Sequence, residues 1–473
     1  MGYAERVRCF NSIEVIPDRP GRNTVSGTII VTMGAITEKF HLVFSYNRDV
    51  TIDSRTAGLI LTMPVINYAY FAGEIRLNFR LRKRDVDLVR EFVRTNNTEV
   101  FVNKICRRRY EFIKRDFIPG EGEITRENAE GSTMIIADDV VDDTPSETVE
   151  YSTCRIAVLS SGGKESLLSY GILKELGKEV FPVFFNESGG HWRTAKTSYD
   201  MISRENPETL KIWSNVDRFY TFMRDRITAL DQAMVRKRAD TYPIRLFIFP
   251  VYVMAALPYL VSNGISGLVM GNEFDDPGEM KPFHGIIHHY GVYDQSRDFS
   301  ERISGYFRKS GHKIDLYSLL YPISGYVVEN ILGHRYPDLF STQRSCHSCH
   351  FTEEEIAPCG KCTKCAGILL FCAASSLDYG LIGYRDVTCN DIIRMADSGR
   401  MRLDPDELEH MISRVRGIDS KLHEHVEGVH MLPGEPVPFS LVPEELRPGL
   451  MGIVGKYSSG IYSLASENWV RRN

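Results

Sequence analysis

Long apolar runs are missing from this chain. Its most apolar stretch, Ile244 to Val261, is broken by Pro250 and Pro258 and carries Arg245, which argues against a bilayer-spanning helix. The first residues (MGYAERVRCF) lack the apolar core of a secretory leader. A strong charge of either sign is also absent: 57 Lys and Arg stand against 62 Asp and Glu, a net charge of −5. That balance excludes a protein whose whole surface coats nucleic acid. Internal repeats and low-complexity tracts are lacking. A disulfide framework is not expected, because six of ten cysteines crowd between Cys346 and Cys372, while Cys9, Cys106, Cys154 and Cys389 are scattered. The expectation is a soluble cytoplasmic protein without membrane contact.

Length and apolar content are there in plenty. The chain has 473 residues, 43% of them hydrophobic, which suits two or three domains. Residues 1 to 136 contain β-type runs at Thr24 to Met33, Phe40 to Ser45, Gly58 to Met63 and Tyr68 to Leu81, then a charged helical run from Asp85 to Thr95. Their alternation predicts a β-rich α+β domain. Residues 137 to 150 carry six acids and no base and read as an acidic linker. From 151 to 380, apolar runs at Ile156 to Leu159, Val180 to Phe185, Leu246 to Val253 and Leu268 to Met270 alternate with helical segments. That order predicts an α/β domain with a parallel sheet. Residues 381 to 473 read as a helical, then loop-rich extension.

Two motifs carry chemistry. Ser160-Ser161-Gly162-Gly163-Lys164-Glu165-Ser166 follows the first strand of the α/β region and opens a helix. Glycines let the backbone turn its N–H groups outward, serines add donors without bulk, and the helix start is electropositive, so the loop is a phosphate nest. The common GxxxxGK[ST] loop is absent, and a mere tight turn is the alternative. The second motif is Cys359-Gly360-Lys361-Cys362-Thr363-Lys364-Cys365, two overlapping CxxC knuckles that suit tetrahedral Zn²⁺. The spacing favours Cys349 as fourth ligand, with Cys346 as contender and His347 or His350 as substitutes. An iron–sulfur cluster is the other metal reading. Cys372 reads as core packing.

The string Ser161 to Ser166 resembles the SGGxDS signature of the PP-loop ATP pyrophosphatases (adenine nucleotide alpha hydrolase-like), with Glu165 in the place of Asp. Together with the cysteine motif, residues 153 to 380 resemble the 7-cyano-7-deazaguanine synthase (QueC) family. Phe185 to Arg193 is similar to the family's FDYGQRH-like string, with His191 near its histidine. Tyr242-Pro243-Ile244-Arg245 is similar to its VPGRN turn, and Met270-Gly271-Asn272-Glu273, with Asp275 and Asp276 beyond, to a strand end lining the nucleotide. Tyr293-Asp294-Gln295-Ser296-Arg297-Asp298-Phe299 resembles its YPDCRxxF substrate segment.

The resemblance implies ATP and Mg²⁺ as cofactors besides Zn²⁺, and adenylation of a 7-deazaguanine carboxylate. Its acyl group then passes to an amine. Ammonia would give the amide and nitrile; in enlarged relatives of antiphage operons, including type IV CBASS, the acceptor is a protein amine. It also implies ATP contacts at Ser160 to Ser166, Asn186, Gly271 and Glu273, and substrate contacts at His191, Tyr293, Asp294, Gln295 and Phe299. Catalytic roles fall to Lys164, Arg245, Asp294 and Arg297. For Lys164 a solvated helix start, and for Arg245 a helix-end charge, are the plainer readings. The N-terminal domain then becomes a docking surface for an acceptor protein. Thirteen Lys or Arg between Arg76 and Arg115, with Phe79, Phe101, Tyr110 and Phe112 interleaved, leave nucleic acid as a less favoured partner. A thiolating tRNA-modifying enzyme and a non-catalytic zinc scaffold are the competing classes.

Overall fold

The computed structural model describes residues 2–107, 111–143, 149–237, 243–274, 281–346, 349–352, 356–385, 387–399, 401, 403–418, 423–431, 435–465 and 468–472. The chain divides into two units, and the division is not the one expected from composition. Unit 1 comprises residues 1–151, 211–264 and 278–315; unit 2 comprises 152–210, 265–277 and 316–473. Two long insertions of the predicted α/β domain therefore build unit 1, and the 381–473 extension belongs to unit 2.

In unit 1, six strands among the described residues lie in the order Leu210–Ser214, Ile36–Tyr46, Thr24–Met33, Phe10–Pro17, Ala72–Leu77 and Met134–Ile136. The first four are antiparallel neighbours, and the last two join in parallel. Thr24–Met33 buries every second residue, as its Val/Ile/Thr alternation predicts. Gly34 turns it into its partner with φ +60.

Two expected strands are helical. Gly58 to Met63 lies within helix Ser54–Ile66, and most of Leu246 to Val253 within helix Phe249–Ser262. Both helices bury nearly all their side chains, so neither carries the polar stripe from which a helical period is read. Asp53 starts the first by accepting from Thr56 N at 2.7 Å. The acidic linker is not free either. Val140–Val141 pairs with Leu81–Arg82, and Asp139 and Asp143 take Arg80 and Arg84. The basic run is thereby partly neutralised, with Arg76 on Glu74 as well. Phe101 and Phe112 are core side chains, not a stacking platform; Arg108, Arg109 and Tyr110 lie outside the described residues.

Unit 2 holds strands in the order Asp315–Tyr317, Ile265–Val269, Ser152–Ser160 and Glu179–Asn186. The last three are parallel, so their carboxyl ends emerge together. Helices Lys164–Glu175, Gly325–Arg335 and Thr363–Ala374 pack in the core of this unit. Parallel strands need crossover helices, which is why this half reads as alternating runs. No helix among the described residues is long and apolar enough to cross a membrane.

Asp85 is the polar keystone of unit 1. Its carboxylate is fully buried and accepts from Arg82 N (2.8 Å), Arg55 Nη1 (3.0 Å) and Tyr306 Oη (2.8 Å). Asp85→Ala would strand a mostly buried guanidinium and uncap helix Lys83–Glu99. A loss of about 3–5 kcal/mol is expected in urea denaturation, against under about 1 kcal/mol for the exposed Asp87→Ala.

Candidate functional site

The site is built at the carboxyl end of Ser152–Ser160, where open α/β sheets place their ligands. The chain turns through Ser161 and Gly162 and enters helix Lys164–Glu175 at Gly163. Gly162 has φ +75, and a Cβ there would meet Ser198 Oγ at 2.5 Å and Thr194 O at 3.0 Å. Only glycine fits. Gly271, just past the neighbouring strand, is equally constrained: its Cβ would lie 2.8 Å from Glu165 Cβ and 3.3 Å from Ser166 N. Ser160 Oγ donates to Ser166 Oγ at 3.2 Å, and Ser166 Oγ to Gly163 O at 3.1 Å. The helix start has no side-chain cap.

Lys164 is not a solvated side chain at the helix start. It is 3% exposed and donates to Glu165 Oε1 at 2.6 Å and to Glu273 Oε2, with its ammonium over the Phe371 ring. Burial lowers its pKa, but the two carboxylates outweigh that and raise it overall. The Glu165 carboxylate folds back over the turn, so that a Cβ on Gly163 would meet Glu165 Oε2 at 2.9 Å. The longer arm of Glu allows this reach.

Two further acids were not legible as site residues. Glu329, fully buried in helix Gly325–Arg335, takes Gln343 Nε2 at 3.2 Å and the Cys372 thiol; Glu407 takes Tyr326 N at 2.9 Å. Burial pushes Glu329 up to about 7, partly offset by Lys164. Burial, reinforced by Glu273, pushes Glu407 up to about 8. A single Glu inside an apolar helical run was the only sequence signal for Glu329, and Glu407 sits among other acids that gave none. Cys372, expected in the core, is there but serves as a donor to Glu329.

Packed against the glycine turn is a candidate metal centre. Cys346, Cys359, Cys362 and Cys365 bring their sulfurs within 4.8 Å of one another. The separations are 3.4 Å for Cys362–Cys365, 3.8 Å for Cys359–Cys365 and 3.9 Å for Cys346–Cys362. Tetrahedral Zn–S bonds of about 2.3 Å set sulfurs about 3.8 Å apart, so the donor set can hold an ion such as zinc. Backbone N–H groups of Cys359, Lys361 and Cys365 point at the sulfurs of Cys346, Cys359 and Cys362. The spacing rule that favoured Cys349 is corrected here. Cys349 contacts the Cys346 sulfur and also Arg344 O (3.8 Å) and the Thr194 hydroxyl (3.9 Å), but it stands outside the set of four mutually close sulfurs. His350 is exposed in a short hairpin; His347 lies outside the described residues.

Other predicted residues divide between the units. In unit 2, Asn186 ends its strand, and His191 Nδ1 sits 2.6 Å from the buried Glu187 carboxylate. In unit 1, Arg245 is buried with its guanidinium over the Tyr220 ring at 4.5 Å. Asp294 accepts from Ile248 N (2.8 Å) and Phe249 N (3.0 Å), so its carboxylate caps helix Phe249–Ser262. Burial lifts it to about 6, against those N–H bonds and Arg245. Phe299 is core and stacks on Phe92, Gln295 is exposed, and Arg297 pairs with Glu301 one turn on. Tyr293 donates to Asp298 at 2.6 Å and lines a cavity of about 370 Å³ with Glu99, His289 and Arg302. Tyr242, Asp275 and Asp276 lie outside the described residues.

No family model matches the chain, and no curated protein sequence matches it. Fold and site together define an α/β protein with a glycine turn at the carboxyl end of a parallel strand and a four-thiol cluster that can hold a metal ion.

Two measurements test this geometry. Cys346→Ser should lose one metal ion per chain by elemental analysis, whereas Cys349→Ser should keep it; the reverse result would restore the spacing rule. Glu329 and Glu407 bind protons in the fold at pH values where an unfolded Glu has lost them, so folding is favoured at low pH and this contribution is lost as pH rises. The melting temperature should therefore fall between about pH 5 and pH 8. The Glu329→Gln/Glu407→Gln variant should show a flatter slope; an unchanged slope assigns it to other groups.

Proposed function

We propose that this chain is an ATP-dependent ligase of the PP-loop type that adenylates a 7-deazaguanine carboxylate and transfers its acyl group to an amine. The observation carrying this reading is the Ser160–Ser166 turn, whose backbone approach at Gly162 and Gly271 admits no side chain. It opens an uncapped helix at the carboxyl end of a parallel strand. That combination suits a polyphosphate. The four-thiol cluster, linked to that turn through Thr194, agrees with the family resemblance.

A carboxylate is a poor electrophile. Its oxygen attacks the α-phosphorus of ATP, pyrophosphate leaves, and the acyl-adenylate carries AMP as a good leaving group. An amine then adds to the acyl carbon and AMP departs. The helix N–H groups with Ser160, Ser161 and Ser166 hold and orient phosphate oxygens. Glu165 and Glu273 supply oxygen ligands of the kind Mg²⁺ takes, and the ion would neutralise charge on the departing pyrophosphate. Lys164 keeps its proton beside these acids and therefore works as a fixed cation, not as a base.

The experiment is incubation with ATP, Mg²⁺ and 7-carboxy-7-deazaguanine, following AMP and product mass. Carboxylate-dependent AMP is expected. A nitrile product identifies ammonia as acceptor, and a mass increase on a co-encoded protein identifies a protein amine. ADP without AMP rejects the proposal. Gly163→Val is the companion variant, because a Cβ there crowds only the movable end of Glu165 (2.9 Å), with Ser161 and Ser345 at ordinary contact distance. ATP affinity should drop about tenfold or more, with the fold intact; unchanged affinity in calorimetry would make the loop a simple turn.

A further inference from the structure

A second cluster in unit 2 has no part in that chemistry. Asp406, on helix Pro405–Val415, and His423 and His425, at the start of the short turn before strand Val429–Met431, bring one ligand atom each within 4.8 Å of one another. His425 Nε2 lies 3.1 Å and His423 Nδ1 3.2 Å from the same carboxylate oxygen, Asp406 Oδ2. Ligand atoms of a tetrahedral ion with bonds of about 2.0–2.1 Å sit about 3.3 Å apart.

Proton placement points the same way. The Pro322 carbonyl, 3.2 Å from His430 Nδ1, can only accept, so the proton of that ring is on Nδ1. His430 is 1% exposed and stacked on Phe274, an apolar setting that keeps an imidazole neutral. Its Nε2 is then an acceptor, and His425 Nδ1, 3.3 Å away, must donate to it. Nε2 of His425 is thereby the nitrogen that faces Asp406. His423 likewise has a partner on each nitrogen, Asp406 at 3.2 Å from Nδ1 and Glu409 at 3.4 Å from Nε2. Two imidazole nitrogens and a carboxylate converge, and each ring has an outer partner at its other nitrogen. Carboxylate or imidazole acceptors behind ligating histidines are the usual second layer of a metal site.

We infer that Asp406, His423 and His425 form a second metal site, taking a divalent transition-metal ion such as Zn²⁺ through one carboxylate and two imidazoles. Three protein ligands leave the ion a position for water or a small ligand, unlike the four-thiol centre. Asp406, 38% exposed at its side chain, is the side open to solvent. His410, on the same helix, is engaged by Glu427 at 2.9 Å and stands outside the ligand set.

The test uses the full chain without a histidine tag, stripped by chelator, refilled with Zn²⁺ and analysed for metal. Two ions per chain are expected for the wild type, and one for His423→Ala and for Asp406→Asn. With Co²⁺, the ion lost in these variants should carry no sulfur-to-metal charge-transfer band, while the thiolate band persists and reports a folded unit. Glu409→Gln should weaken this site alone by about 10–100-fold. A wild-type count of one ion, lost in Cys346→Ser, would overturn the inference and leave protons to hold the cluster. Retention of both ions in His423→Ala and Asp406→Asn would overturn it equally.

Discussion

The buried ammonium of Lys164 governs the charge at the end of the parallel sheet in unit 2. Glu165 and Glu273 hold it directly, and Glu329 and Glu407 lie within its field. One cation among four carboxyl groups cannot keep all of them ionised in a dry interior, so the two most buried titrate near neutrality. The glycine turn, the helix start and the strand end carrying Glu273 are fixed by this arrangement. Removing the cation would leave several carboxylates uncompensated at once.

The four-thiol cluster is linked to the same turn through two residues. Thr194 touches both, its hydroxyl on Cys346 O and its carbonyl against Gly162, while Ser345 lies against Gly163. A metal ion bound by Cys346 and the knuckle would fix the chain segment that Thr194 ties to the turn.

Unit 1 is tied together by buried acids that accept backbone N–H groups. Asp294 caps a helix from another segment, and Glu99 accepts from His289 N and Gly291 N at 2.6 and 2.7 Å. These bonds recruit the inserted segments 211–264 and 278–315 into the N-terminal unit. Asp294 read as a site residue from the resemblance of Tyr293 to Phe299 to a substrate segment; in the fold its carboxylate caps a helix.

Sequence alone determined whatever depends on local period and short-range chemistry. The strand Thr24–Met33, the strand–turn–helix around Ser160 to Ser166, and the knuckle Cys359, Cys362 and Cys365 were all legible, because alternation, glycine and CxxC act over a few residues. Helices buried on every side were not, since Ser54–Ile66 shows no polar face. Tertiary structure alone decided which half each insertion joined, that Cys346 and not Cys349 completes the thiol set, and that Glu329, Glu407 and the Asp406–His423–His425 cluster exist as groups. Each of those outcomes rests on contacts between residues far apart in the chain, whose formation is set by packing and desolvation and leaves no spacing to read.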